Sequence, residues 1–215
     1  MPNAVAGPDD IFSTIAHDLA TQGYCILTDA LPEPLAQQLH QQVQQLPDEA
    51  FQAAGIGREQ QHTQLKAIRR DKTHWITGET HAEKAWHAWA AQLQQHLNRR
   101  LFLGLFSFES HFACYQPGDF YRRHLDAFRG SVNRVLTVTT YLNHNWQEGD
   151  GGELVIYAGD GDEVIACVQP EYRTLVIFLS EEYPHEVLAT KRERYSIAGW
   201  FRINGSVEGA IDPPS

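Results

Sequence analysis

The chain has 215 residues, with 17 Lys+Arg against 27 Asp+Glu and a formal net charge of −10. That length suits one large domain that buries its core without disulfides or structural metals, and 42% hydrophobic with 11% aromatic residues rules out wholesale disorder. The acidic balance counts against a broad phosphate-binding surface, so no nucleic-acid partner is expected. Residues 8–100 read as helical support. Asp9 and Asp10 precede an apolar stripe of Ile11, Phe12, Ile15 and Leu19, which Gly23 ends before a short strand at Tyr24-Cys25-Ile26-Leu27. Leu35, Leu39, Val43 and Leu46 mark a second helix with a Gln-rich solvated face, and Trp86, Trp89, Leu93 and Leu97 mark a third over about 79–99. The polar stretch 55–70 between them reads as a mobile loop or loosely held hairpin.

From about residue 103 the character changes. Short β-branched or aromatic runs at 106–115, 134–142, 153–157, 163–168, 174–179 and 195–203 alternate with Gly-Asp, Gly-Gly and Pro punctuation. Helices first and many strands later predict an α+β fold, a sandwich or barrel with helices on one face. A single domain is expected over 1–204, its β core at about 103–203, followed by a loose tail at 205–215. Cys25, Cys114 and Cys167 are far apart with no C-x-x-C pair, which argues against a disulfide framework or a thiolate zinc site and for a reducing compartment. The amino-terminal MPNAVAGPDD has no signal-peptide blocks, and the longest apolar run, 101–108, is too short for a bilayer. A soluble cytoplasmic protein with no membrane partner is the expectation.

His124-Leu125-Asp126 places two metal-ligating side chains at i and i+2, on one face of an extended segment. Alone the pattern says little, because a chain with 11 His throws up such pairs by chance. His185 follows the apolar run 174–179, and Arg194 comes nine residues after it at the start of a strand. Alternation sets Arg194, Ser196, Ala198 and Trp200 on one face of that strand and Tyr195, Ile197 and Phe201 on the other. A guanidinium followed by two small side chains makes a slot with a cation at one end. Such a slot suits a dicarboxylic acid, since Arg binds carboxylate bidentately. Two His and one Asp leave coordination positions open, as in the facial triad of non-haem Fe(II) oxygenases. On ligand types alone, a zinc hydrolase or three residues that never meet fits as well.

The surrounding text resembles a known family. His124-x-Asp126, His185 and Arg194 look like the signature of the 2-oxoglutarate- and Fe(II)-dependent dioxygenases. Ala113-Cys114-Tyr115, Tyr121-Arg122-Arg123-His124-Leu125-Asp126, Tyr141-Leu142-Asn143, Gly151-Gly152-Glu153-Leu154, Pro184-His185-Glu186-Val187 and Ile68-Arg69-x-Asp71-Lys72-x-x-Trp75 are similar to prolyl 4-hydroxylases of the hypoxia-sensing type. The likeness runs from about residue 20 to 203. It implies a double-stranded β-helix (jelly-roll) core with supporting N-terminal helices. By resemblance, His124, Asp126 and His185 bind Fe(II), and Arg194, helped by Tyr141, holds the distal carboxylate of 2-oxoglutarate. Tyr115 lines the cofactor pocket, Trp200 sits near the substrate proline, Arg134 and Tyr121 border the entrance, and 55–70 covers the substrate.

The implied reaction consumes 2-oxoglutarate and O2, with ascorbate as a reductant, and hydroxylates a prolyl residue, giving succinate and carbon dioxide. The implied partner is an intracellular protein bearing a target proline, elongation factor Tu being the candidate by resemblance, with the enzyme a monomer and oxygen sensing a possible role. Nucleic-acid demethylases of this fold carry a second Arg six residues after the first, where this chain has Trp200. Halogenases lack the carboxylate that Asp126 supplies. A free amino acid as substrate, or a catalytically idle oxygen-sensing metal module, remains open at the level of sequence.

Overall fold

The structure, a computed structural model, describes residues 8–53, 67–127, 133–159 and 161–204 and the backbone of 206–207 and 210–211. α1 (Pro8–Gln22) starts with a proline, whose missing N–H costs nothing in a first turn. It ends at Gly23, which at φ +78° donates its amide to the Leu19 carbonyl at 3.1 Å. α2 (Glu33–Gln45) and α3 (His81–Leu101) follow. Thr80 caps α3 by accepting the Glu83 amide, and the Glu83 carboxylate reaches back to the amides of Gly78 and Glu79. The stripes that predict these helices are buried: Ile15, Leu19, Leu39, Val43, Trp86 and Leu93 all lie in the core.

The strands are β1 (Tyr24–Leu27), β2 (Gln52–Ala53), β3 (Lys72–Trp75), β4 (Leu105–Tyr115), β5 (Tyr121–His124), β6 (Arg134–Tyr141), β7 (Leu154–Tyr157), β8 (Val164–Val168), β9 (Leu175–Leu179), β10 (His185–Val187), β11 (Arg194–Ile203), β12 (Ser206–Val207) and β13 (Ala210–Ile211). A major sheet runs β1-β9-β6-β11-β4-β3-β2 and a minor sheet β5-β10-β7-β8. From β4 to β11 the chain steps between the two sheets, which is the double-stranded β-helix expected of an α+β jelly roll. Every pairing within the two sheets is antiparallel.

Two cores hold the layers together. On the outer face of the major sheet, Phe112, Leu136, Val138, Ile177, Ile197 and Phe201 pack against the three helices. Between the sheets, Ala113, Tyr141, Leu154, Ile156, Val176 and Phe178 form the second cluster. The alternation read along β11 therefore has a physical counterpart: Ile197 and Phe201 face the helices while Arg194, Ser196, Ala198 and Trp200 face the minor sheet.

The short strands β2, β3, β5 and β10 have no signal in the hydrophobic pattern. β3 reads Lys-Thr-His-Trp and is held by its ladder to β4, not by burial of its own. Most of the 55–70 stretch lies outside the described residues; its last part reaches β5 through an Arg69–Tyr121 bridge. In the 205–215 tail, expected to be loose, β12 and β13 pair with each other, and the rest lies outside the described residues. Among the described residues, no helix is long and apolar enough to cross a membrane.

Candidate active site

The pairing of β10 with β5 sets His185 directly opposite His124. Asp126, just beyond β5, completes the group: its Oδ1 lies 3.4 Å from His124 Nε2 and its Oδ2 3.5 Å from His185 Nε2. The three ligand atoms all lie within 4.8 Å of one another. Each imidazole is turned by its own backbone. His124 Nδ1 bonds to the Arg122 carbonyl at 2.8 Å and His185 Nδ1 to the Tyr183 carbonyl at 3.0 Å. A carbonyl only accepts, so Nδ1 carries the proton and Nε2 presents its lone pair inward. Burial holds His185 down to about 4, which leaves it neutral near pH 7. Burial opposes ionisation of Asp126, but in acid, where His185 takes up its proton, the charge beside it keeps the carboxyl well below the usual carboxylate range. Thr137 on β6 donates to Asp126 Oδ2 at 2.8 Å and contacts Ser180 Oγ at 3.0 Å, fixing the carboxylate's tilt.

The triad opens into a cavity of about 220 Å³ between the sheets. Arg194 stands at one end of its β11 wall, 1% exposed. It donates Nε to the Gly152 carbonyl at 2.9 Å and Nη1 to Ser196 Oγ at 3.1 Å. Tyr115 and Tyr141 flank it, with ring centroids 4.8 and 5.0 Å from its Cζ. Among the described residues no carboxylate pairs with Arg194, and the buried Tyr141 hydroxyl has no hydrogen-bond partner. An unpaired buried guanidinium beside an orphaned hydroxyl is costly unless an anion joins them. Gly152 makes the close approach possible: at φ +71° a Cβ there would sit 2.9 Å from Arg194 Cδ.

The other end of that wall is aromatic. Trp200 lines it with the Arg134 guanidinium 3.7 Å above its ring, and Arg134 is tied to Glu109 at 2.9 Å. Tyr121 stacks on His124 at 3.6 Å and lies under Arg69, which makes a twin contact with the buried Asp71 at 2.8 and 2.6 Å. The structure thus brings His124, Asp126, His185 and Arg194 to one cavity with Tyr115, Tyr121, Arg134 and Trp200, while Tyr141 lies buried against Arg194. Sequence reasoning gives no role to Thr137 or His111. Each shares a pocket-facing strand side with residues that it does name, Thr137 in register with Trp200, and His111 two positions from Ala113.

These features fit a specific pair of groups. Two imidazoles and a carboxylate suit Fe(II) with positions to spare, and the buried Arg194 guanidinium suits the far carboxylate of a dicarboxylic acid.

Comparison with known proteins agrees. Residues 110–202 match the 2OG-Fe(II) oxygenase superfamily. A Pseudomonas putida prolyl-4-hydroxylase superposes with a TM-score of 0.80 at 40% identity, covering 90% of this chain and 100% of that one. A Trichoplax adhaerens prolyl hydroxylase, solved with a peptide fragment of the hypoxia inducible factor oxygen degradation domain, gives 0.80 at 28% identity over 91% of this chain and 90% of its own. Human Egl nine homolog 1 is 30% identical over 188 residues, 83% of this chain, which spans only 43% of that protein's length. The chain belongs to the 2OG-Fe(II) oxygenase superfamily, among its prolyl hydroxylases, and Fe(II), 2-oxoglutarate and O2 are the cofactor and co-substrates of that family.

Proposed function

We propose that the protein is a 2-oxoglutarate-dependent dioxygenase that hydroxylates a prolyl residue, at C4 and in the trans sense, of an intracellular protein, with elongation factor Tu as the candidate substrate. The observation that carries this reading is Arg194: a buried cation with no carboxylate partner among the described residues, in a cavity also lined by a His-Asp-His donor set. Bound Fe(II), 2-oxoglutarate and O2 supply the chemistry, oxidative decarboxylation to succinate and carbon dioxide coupled to insertion of one oxygen atom into a C–H bond.

The chain's own residues supply position. His124, Asp126 and His185 hold the metal, and Thr137 keeps the carboxylate from rotating. Arg194 would pair with the far carboxylate of 2-oxoglutarate, the Tyr141 hydroxyl would add a donor, and Tyr115 would line the side. Ser196 and Ala198 are small, so the slot between Arg194 and Trp200 stays open. The Trp200 indole offers a flat apolar face to a pyrrolidine ring, with Arg134 and Tyr121 at the border of the cavity. The enzyme acts as a cytoplasmic monomer, with ascorbate keeping the iron reduced and oxygen supply setting its rate.

Mass spectrometry of elongation factor Tu after incubation with the protein, Fe(II), 2-oxoglutarate and air tests the reading. One prolyl residue gains a single oxygen with the wild type and none with His185→Ala. If neither that protein nor any other proline-containing polypeptide gains oxygen, the reading is wrong.

A further inference from the structure

His111 lines the same cavity, yet none of the roles above employs it. It lies on β4 two residues before Ala113, in register with Ala198 of β11 and Trp75 of β3. Its ring sits between two indoles, 5.2 Å from Trp75 and 5.5 Å from Trp200. The residue is 5% exposed, while Trp75 is 45% exposed. The ring lines the cavity, and its buried Nδ1 has no hydrogen-bond partner among the described residues. Buried polar atoms left unpaired are uncommon and costly, so a group that enters the cavity is the natural partner.

The chemistry of that group follows. Burial holds the His111 imidazole down to about 4, so near neutral pH the ring is uncharged and has one N–H to give. A prolyl residue has no amide hydrogen, and the polar groups flanking its ring are carbonyl oxygens, which only accept. Donor and acceptor match. Opposite His111, Ala198 offers only a methyl, which leaves the space over this row open for backbone.

We propose that His111 is a specificity-determining contact whose ring N–H donates to a main-chain carbonyl flanking the target proline. The inference rests on the prolyl reading given above. It assigns the polar half of recognition to His111 and the apolar half to Trp200 and Trp75.

His111→Leu removes the donor, and His111→Gln keeps an N–H of similar reach. The probe is a capped peptide spanning the proline that the wild type hydroxylates, with two analogues carrying a thioamide, a poorer acceptor, in place of either flanking carbonyl. His111→Leu raises the peptide KM, and its Kd by anaerobic calorimetry, about tenfold, the weight of one neutral hydrogen bond. The Kd for 2-oxoglutarate stays unchanged. His111→Gln recovers most of the loss. One thioamide analogue weakens binding to the wild type by a similar factor and to His111→Leu hardly at all. An unchanged peptide KM in His111→Leu, equal losses in both variants, or equal sensitivity of wild type and His111→Leu to both thioamides overturns the inference alone. A wild type that consumes 2-oxoglutarate but oxidises no prolyl peptide overturns the prolyl reading and the inference with it.

Discussion

At the scale of single residues, the site is built from groups whose burial decides their charge. His111 and His185 are both held at about 4, against an ordinary value of 6.5. Above pH 6.5 each is neutral in the folded and the unfolded chain and pH has no leverage. Between 6.5 and 4 the unfolded chain takes up protons that the folded one refuses, so stability falls as pH falls. Urea unfolding of the metal-free protein at about pH 7 and about pH 5 measures this linkage. The expected result is a smaller acid-side loss for His111→Leu than for the wild type; equal losses would mean that His111 is not held neutral by the fold. Asp126 titrates in the opposite sense. Its depressed value keeps it ionised through this window, so it contributes nothing to the difference.

At the scale of elements, β11 organises the site because it is a central strand with β4 and β6 on either side. Its pocket face delivers a cation, two small residues and an indole in sequence, and its register sets Tyr141 beside Ser196 and Thr137 beside Trp200. The turn before β7 matters as much. Gly152 gives its carbonyl to Arg194 and keeps the space that Arg194 Cδ fills. Gly152→Ala forces both a strained φ and a clash, and is expected to raise the 2-oxoglutarate KM roughly tenfold or more and to lower the melting temperature of the ligand-free protein by several degrees; an unchanged KM would show that Arg194 tolerates displacement. Much of this was legible from residues alone. The helices declared themselves by stripes such as Trp86, Trp89, Leu93 and Leu97, and the face of β11 by strict alternation. What stayed hidden has physical reasons. β3 and β10 are short and partly polar and exist through ladder bonds to neighbours, which no local pattern encodes. Thr137 and His111 matter through cross-strand register, and register is fixed only when the strands are paired.

At the scale of the whole molecule, two layers of β structure enclose the chemistry and the helices back only one of them. The helical side carries most of the buried apolar residues, so the site can keep polar groups in its cavity without being asked to hold the fold together. Net charge of −10 conceals a local pattern. Of the cavity's guanidinium groups, Arg69 is matched by Asp71 and Arg134 by Glu109, and Arg194 alone has no carboxylate among the described residues. On the proposed reading, an anion-binding Arg194 shares one cavity with a metal-binding triad, all of them pre-oriented and largely buried groups. Anaerobic titration of the protein with Fe(II) and then 2-oxoglutarate, followed by visible absorption, tests that arrangement most directly. A weak charge-transfer band should grow to saturation in the wild type, be absent in His185→Ala, and in Arg194→Ala require at least about tenfold more 2-oxoglutarate, the weight of a charge-assisted contact. No band in the wild type, or a band in Arg194→Ala that saturates at the same concentration, would contradict it.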